Sequence, residues 1–97
     1  DVIVFADDLE GEELRILMNL VLDHGKRLCA VFGGDEERGF RYVIGSRILD
    51  MRPLAKELNE TFHGRGGGKS EMVQGSVQGN ESEMRAWIQE KARKMNG

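Results

Sequence analysis

Ninety-seven residues, 39% hydrophobic and 32% charged, suffice for one modest core, so residues 1–97 read as a single domain. No apolar run approaches the ~18 residues of a bilayer crossing, and a lone cysteine, Cys29, forbids an internal disulfide. The net charge of -3 hides a segregation: residues 1–37 carry ten acidic against three basic side chains, and residues 38–97 carry eleven basic against seven acidic.

The basic part can attract a polyanion although the whole chain is acidic, or it can be a chance asymmetry of a solvated surface. Cys29, His24 and His63 are too few and too scattered for a tetrahedral metal site, so neither metal nor cofactor is expected. A single thiol fits a reducing, cytoplasmic compartment. A first residue of Asp rather than Met is read as the start of a fragment of a longer protein.

Val2-Ile3-Val4-Phe5, apolar and β-branched, predicts a buried strand. Asp7 or Asp8 is expected to cap a helix with an acidic first turn (Glu10, Glu12, Glu13) and an inward stripe of Leu14, Leu17, Met18, Val21 and Leu22, stopped at Gly25. Residues 28–32 and 40–44 predict two strands, joined by the polar, glycine-bearing loop 33–39. Asp50 and Pro53 mark the start of a second helix carrying Leu54, Leu58 and Phe62. Asn80 followed by Glu83 gives a capping-box pattern for a third helix, with Met84, Trp87, Ile88 and Met95 inward and Lys91, Arg93 and Lys94 at its end. The fold class is therefore α+β, three helices packed on a small mixed sheet.

The informative stretch lies between the second and third helices, residues 63–79, HGRGGGKSEMVQGSVQG. Four of its glycines fall between positions 64 and 68. Such a cluster lets backbone amides approach a ligand closely, and with Arg65 and Lys69 it makes a candidate nest for phosphate oxygens; the alternative is a connector or tight turn. Gly68-Lys69-Ser70 imitates the end of a nucleotide-binding P-loop. The required earlier glycine is missing, however, since His63 stands there, and the segment follows a helix rather than a strand.

This segment, preceded by RILDMRPLAKELNETFH, resembles the C-terminal DHH-associated domain of alanyl-tRNA synthetases and of AlaX-type alanyl-tRNA editing proteins. The match runs through Gly64, Arg65, Gly66, Gly67, Gly68, Lys69, Met72, Gln74 and Gly75, with Val73 where that family usually has Ala. The resemblance implies a tRNA-binding accessory domain, with alanine tRNA as partner and a homodimer in some members, and no catalytic residue in this chain. The zinc of the editing reaction would belong to a different domain, whose ligand spacings do not occur here.

On that reading Arg65 and Lys69 pair with phosphates, the amides of Gly66, Gly67 and Gly68 approach the sugar–phosphate chain, and Gln74 and His63 lie beside them. Basic residues of 85–94 add diffuse attraction. His63 is read either as an RNA contact or as a helix-end cap, and Arg41 either as an RNA contact or as part of a solvated face. Related phosphoesterases carry a histidine after the glycines where this chain has Lys69, which favours the tRNA branch. Two other readings stay open: a dimerisation or interdomain docking module, and the substrate-binding half of a DHH-type phosphoesterase.

Overall fold

A computed structural model of the chain describes residues 1–95. The elements run β1 (Val2–Phe5), α1 (Glu12–Asp23), β2 (Cys29–Asp35), β3 (Gly39–Gly45), α2 (Arg52–Thr61), β4 (Arg65–Lys69), β5 (Met72–Val77) and α3 (Glu81–Lys94). The five strands form one sheet in the order β1-β2-β3-β5-β4. Only β1–β2 is parallel, α1 making the crossover, so the sheet is mixed as expected.

Alternation along the strands creates two cores. On one face Leu14, Met18 and Leu22 of α1 cover Cys29 and Val31 of β2 and Val43 of β3. On the other, α2 and α3 cover Ala30 and Phe32, Phe40, Tyr42 and Ile44, and Val73 and Val77 of β5. Each fully buried Leu or Phe contributes roughly 1.5–3 kcal/mol through the apolar area it removes from water. The strand at residues 2–5 is half-buried rather than buried, because β1 is an edge; Phe5 nonetheless stacks on Phe32 with ring centroids 4.5 Å apart.

Three boundaries differ from the sequence expectation. Helix α1 begins at Glu12 behind Gly11 (φ 51°), with no side-chain cap from Asp7 or Asp8. The chain between β1 and α1 instead turns over the sheet so closely that a Cβ on Gly33 would lie 2.4 Å from the Leu9 carbonyl oxygen. The loop predicted at 33–39 shrinks to three residues, since Gly33, Gly34 and Asp35 pair with Arg41, Phe40 and Gly39. The Asp35 carboxylate closes this turn, accepting from the Arg38 amide at 2.7 Å, a bond that holds its pKa below the usual carboxylate range.

The third difference concerns the glycine segment. Residues 65–69 are not a loop but strand β4, paired with β5 along its length. Elsewhere the expected punctuation holds: Asn80 Oδ1 accepts from the Glu83 amide at 3.1 Å, and Gly25 (φ 84°) ends α1.

Candidate functional site

Most of the glycines in the β4–β5 hairpin are demanded by the close approach of the two strands. Gly66 and Gly68 sit at φ 154° and 157°, where side chains are strained; a Cβ on Gly66 would lie 2.3 Å from the Gln74 oxygen and 2.7 Å from the Tyr42 hydroxyl. A Cβ on Gly75 would lie 2.1 Å from the Arg65 oxygen. Beneath this contact Tyr42 donates to Asn59 Oδ1 at 2.9 Å, and Asn59 Nδ2 donates to the Gly66 oxygen at 3.2 Å, tying β4 to α2. Gly67 is different. Its φ lies outside the left-handed region, and nothing stands within 4 Å of a Cβ built there. The fold places no demand for glycine at 67.

The register decides which side chains share a face. Arg65 lies opposite Ser76, which lies opposite Arg41; Gly67 opposite Gln74 and then Val43; Lys69 opposite Met72 and then Gly45. Cross-strand partners point the same way. Arg65, Gly67 and Lys69 therefore lie on the α1 side of the sheet together with Arg41, Gln74 and Ser76. Helix α1 covers β2 and β3 there and leaves β4 and most of β5 bare, so Arg41, Arg65, Gly67, Lys69, Gln74 and Ser76 are all exposed. At about 3.3 Å per residue, Arg65 and Lys69 stand roughly 13 Å apart along the strand with bare backbone between them.

Charge pairing singles out the same face. Nine of the fourteen Lys and Arg side chains lie within 4.0 Å of a carboxylate. Among the described residues, Lys26, Arg41, Lys56, Arg65 and Lys69 have no such partner, and three of these five belong to the open face. Where α1 meets the sheet, a groove of about 750 Å³ is lined by Asp7, Glu10 and Glu12, the last ion-paired to Arg15, and by Arg38 and Arg41, with Leu9 and Val43 among its apolar residues. The charge segregation of the sequence thus becomes an acidic bank beside a basic sheet face.

The expected site residues divide accordingly. Arg65, Gly67, Lys69 and Gln74 come together on the open face. Gly66 and Gly68 belong to the opposite face, where their missing side chains let the hairpin close. The expected nest of consecutive amides does not form, because successive N–H groups of an extended strand point in opposite directions. His63 follows α2 at φ 52°, the one positive φ of a non-glycine residue among those described, and stands with Arg65 at the end of the hairpin.

The basic residues of α3 lie away from this face. Arg85 pairs with Glu81 and sits 4.9 Å above the Phe5 ring, Lys91 pairs with Glu57, and Arg93 and Lys94 pair with Glu90. Their side chains do not line the open face. Ser76 does, and Arg38 lines the groove beside it; neither stood out in the sequence, and the period-2 register of a hairpin running through residue 65 is the signal that identifies Ser76.

Among the described residues no three His, Cys, Asp or Glu side chains gather as metal ligands, and no helix is long and apolar enough to cross a membrane. Burial pushes the Cys29 thiol up to about 11, away from thiolate chemistry.

Residues 1–95 match the family described as the DHHA1 domain. The chain is 31% identical over 75 residues to the alanine–tRNA ligase of Acholeplasma laidlawii (strain PG-8A), an alignment that takes in 77% of this chain and 9% of that protein. It therefore spans under a tenth of that relative's length. The fold superposes on the crystal structure of the C-Ala domain from Aquifex aeolicus alanyl-tRNA synthetase with a TM-score of 0.76 at 20% identity, covering 92% of this chain and 87% of that one.

Proposed function

The chain belongs to the DHHA1 domain family, and from that premise we propose that it is a tRNA-binding accessory domain of an alanyl-tRNA synthetase or alanyl-tRNA editing protein. The supporting observation is the open face of β4 and β5, where Arg65 and Lys69, without a carboxylate partner among the described residues, flank a glycine whose absent side chain the fold does not require. Arg65 and Lys69 meet phosphates, Gln74 and Ser76 offer neutral hydrogen-bonding groups, and the exposed backbone at Gly67 lets the sugar–phosphate chain approach closely. The acidic bank of Asp7, Glu10 and Glu12 repels the polyanion and confines it to the β4–β5 side.

Alanine tRNA is the partner this reading selects. The domain itself performs no catalysis; aminoacylation or deacylation, with any zinc, belongs to other parts of a cytoplasmic parent. The test is a filter-binding titration of tRNA at several salt concentrations. Replacing both Arg65 and Lys69 by Ala weakens binding and flattens the slope of log affinity against log salt by about 2, one per phosphate contact. An unchanged slope makes the hairpin merely architectural.

A second reading, a docking or homodimer surface, has one observation in its favour. Ile16 and Leu20, each 53% exposed, stand one turn apart on the outside of α1. It predicts a concentration-dependent mass by analytical ultracentrifugation and no affinity for tRNA.

A further inference from the structure

At the Arg65 end of the hairpin the structure closes a second, more concentrated basic feature. Four segments far apart in the sequence meet there: the β2–β3 turn supplies Arg38, β3 supplies Arg41, the chain after α2 supplies His63, and β4 supplies Arg65. They enclose a pocket of about 440 Å³, completed by the neutral polar groups of Ser76 and Gln78, and no acidic side chain lines it. Asp35, outside the lining, pairs with Arg38 at 3.3 Å; Arg41 and Arg65 have no carboxylate partner among the described residues. A concave site of one sign focuses its potential, and guanidinium groups with an imidazole are the donors that suit the oxygens of a tetrahedral oxyanion.

The backbone holds this arrangement in place. Gly64 runs so close to β5 that a Cβ there would lie 2.2 Å from the Ser76 oxygen, and its amide donates to the Asn59 oxygen at 2.8 Å. Just before that passage the chain takes a left-handed turn at His63 (φ 52°), and His63 and Arg65 line the same pocket.

The geometry points to a phosphate-binding subsite formed by Arg38, Arg41, His63 and Arg65, separate from Lys69 at the far end of the strand. It rests on the RNA-binding reading for its ligand, a phosphate group of a nucleotide, which can be a bridging diester of a bound strand or a terminal monoester.

The experiment follows amide signals of the 97-residue chain by NMR, with inorganic phosphate, a nucleoside 5′-monophosphate and a 5′-hydroxyl dinucleotide as separate probes. Signals of Gly39, Ser76 and Gln78 are expected to shift with saturation, and the variant R38Q/R41Q to bind the preferred probe about tenfold more weakly. Tighter binding of the monophosphate assigns the subsite to a terminal phosphate, and tighter binding of the dinucleotide to a bridging one. The inference is overturned if no probe moves these signals, or if R38Q/R41Q, with the melting temperature of the parent chain, binds as the parent does. If the probes fail while tRNA binding still depends on Lys69, the subsite alone falls. If phosphate shifts the pocket signals but tRNA does not bind, the RNA-binding reading falls and the subsite stands.

Discussion

Gly67 and Gly66 are neighbours with the same missing side chain for opposite reasons, and substitution separates them. Alanine at Gly66 meets a positive φ and a Cβ 2.3 Å from the Gln74 oxygen, so Gly66→Ala is expected to destabilise the domain by about 2–5 kcal/mol. Gly67→Ala enters open space on an extended strand and should melt at or a few degrees above the parent chain, since it only restricts the unfolded state. Gly67→Val suits a strand but covers the backbone between Arg65 and Lys69, and should weaken tRNA binding about tenfold, ~1.4 kcal/mol. Thermal melts and filter binding check the pair. If Gly67→Val binds tRNA as well as the parent chain, bare backbone at 67 has no role in the interface. In the sequence these glycines are indistinguishable. Their separate reasons arise only when β5 is laid beside them.

At the scale of elements, the helices were more legible than the glycine strand. The apolar stripes of α1 and α3 and the Asn80 cap follow from 3.6-residue periodicity and local hydrogen bonding. Strand β4 has no such pattern: its RGGGK has low intrinsic β preference, and its conformation comes from pairing with β5 and the Asn59 bond to Gly66. The start of α1 is not legible because Asp7 and Asp8 look like caps locally, while in the fold the chain passes close over Gly33 at Leu9 before the helix begins at Glu12.

Two predictions belong to elements. The start of α2 is secured by Asp50, whose carboxylate accepts from the Arg52 side chain and amide; these bonds lower its pKa from 3.8 to about 2. Its contribution is therefore present above the unfolded pKa and is withdrawn as pH falls through the folded value. The Asp50 carboxyl resonance should titrate near 2, and a midpoint at the ordinary value would mean that the lock is not formed in solution. Beside the groove, D7N/E10Q/E12Q removes the acidic bank and should raise tRNA affinity at low salt, the gain fading as salt screens it. Equal affinity at all salt concentrations would show that the bank plays no part in steering.

For the molecule as a whole, sheet order connects charge to function. Because β1-β2-β3-β5-β4 leaves β4 at an edge with α1 two strands away, one sheet face is both open and basic while the total charge stays at -3. The fold class could be read from the sequence. The division between inner and outer glycines needed the register. The most direct measurement is an NMR map of the 97-residue chain titrated with alanine tRNA. Shifts and broadening confined to 65–69, Gln74 and Ser76 and to the adjoining pocket of Arg38, Gly39, Arg41, His63 and Gln78, with α3 silent, are the predicted result. A footprint centred on Ile16 and Leu20, or on α3, with the glycine strand unmoved, would contradict it.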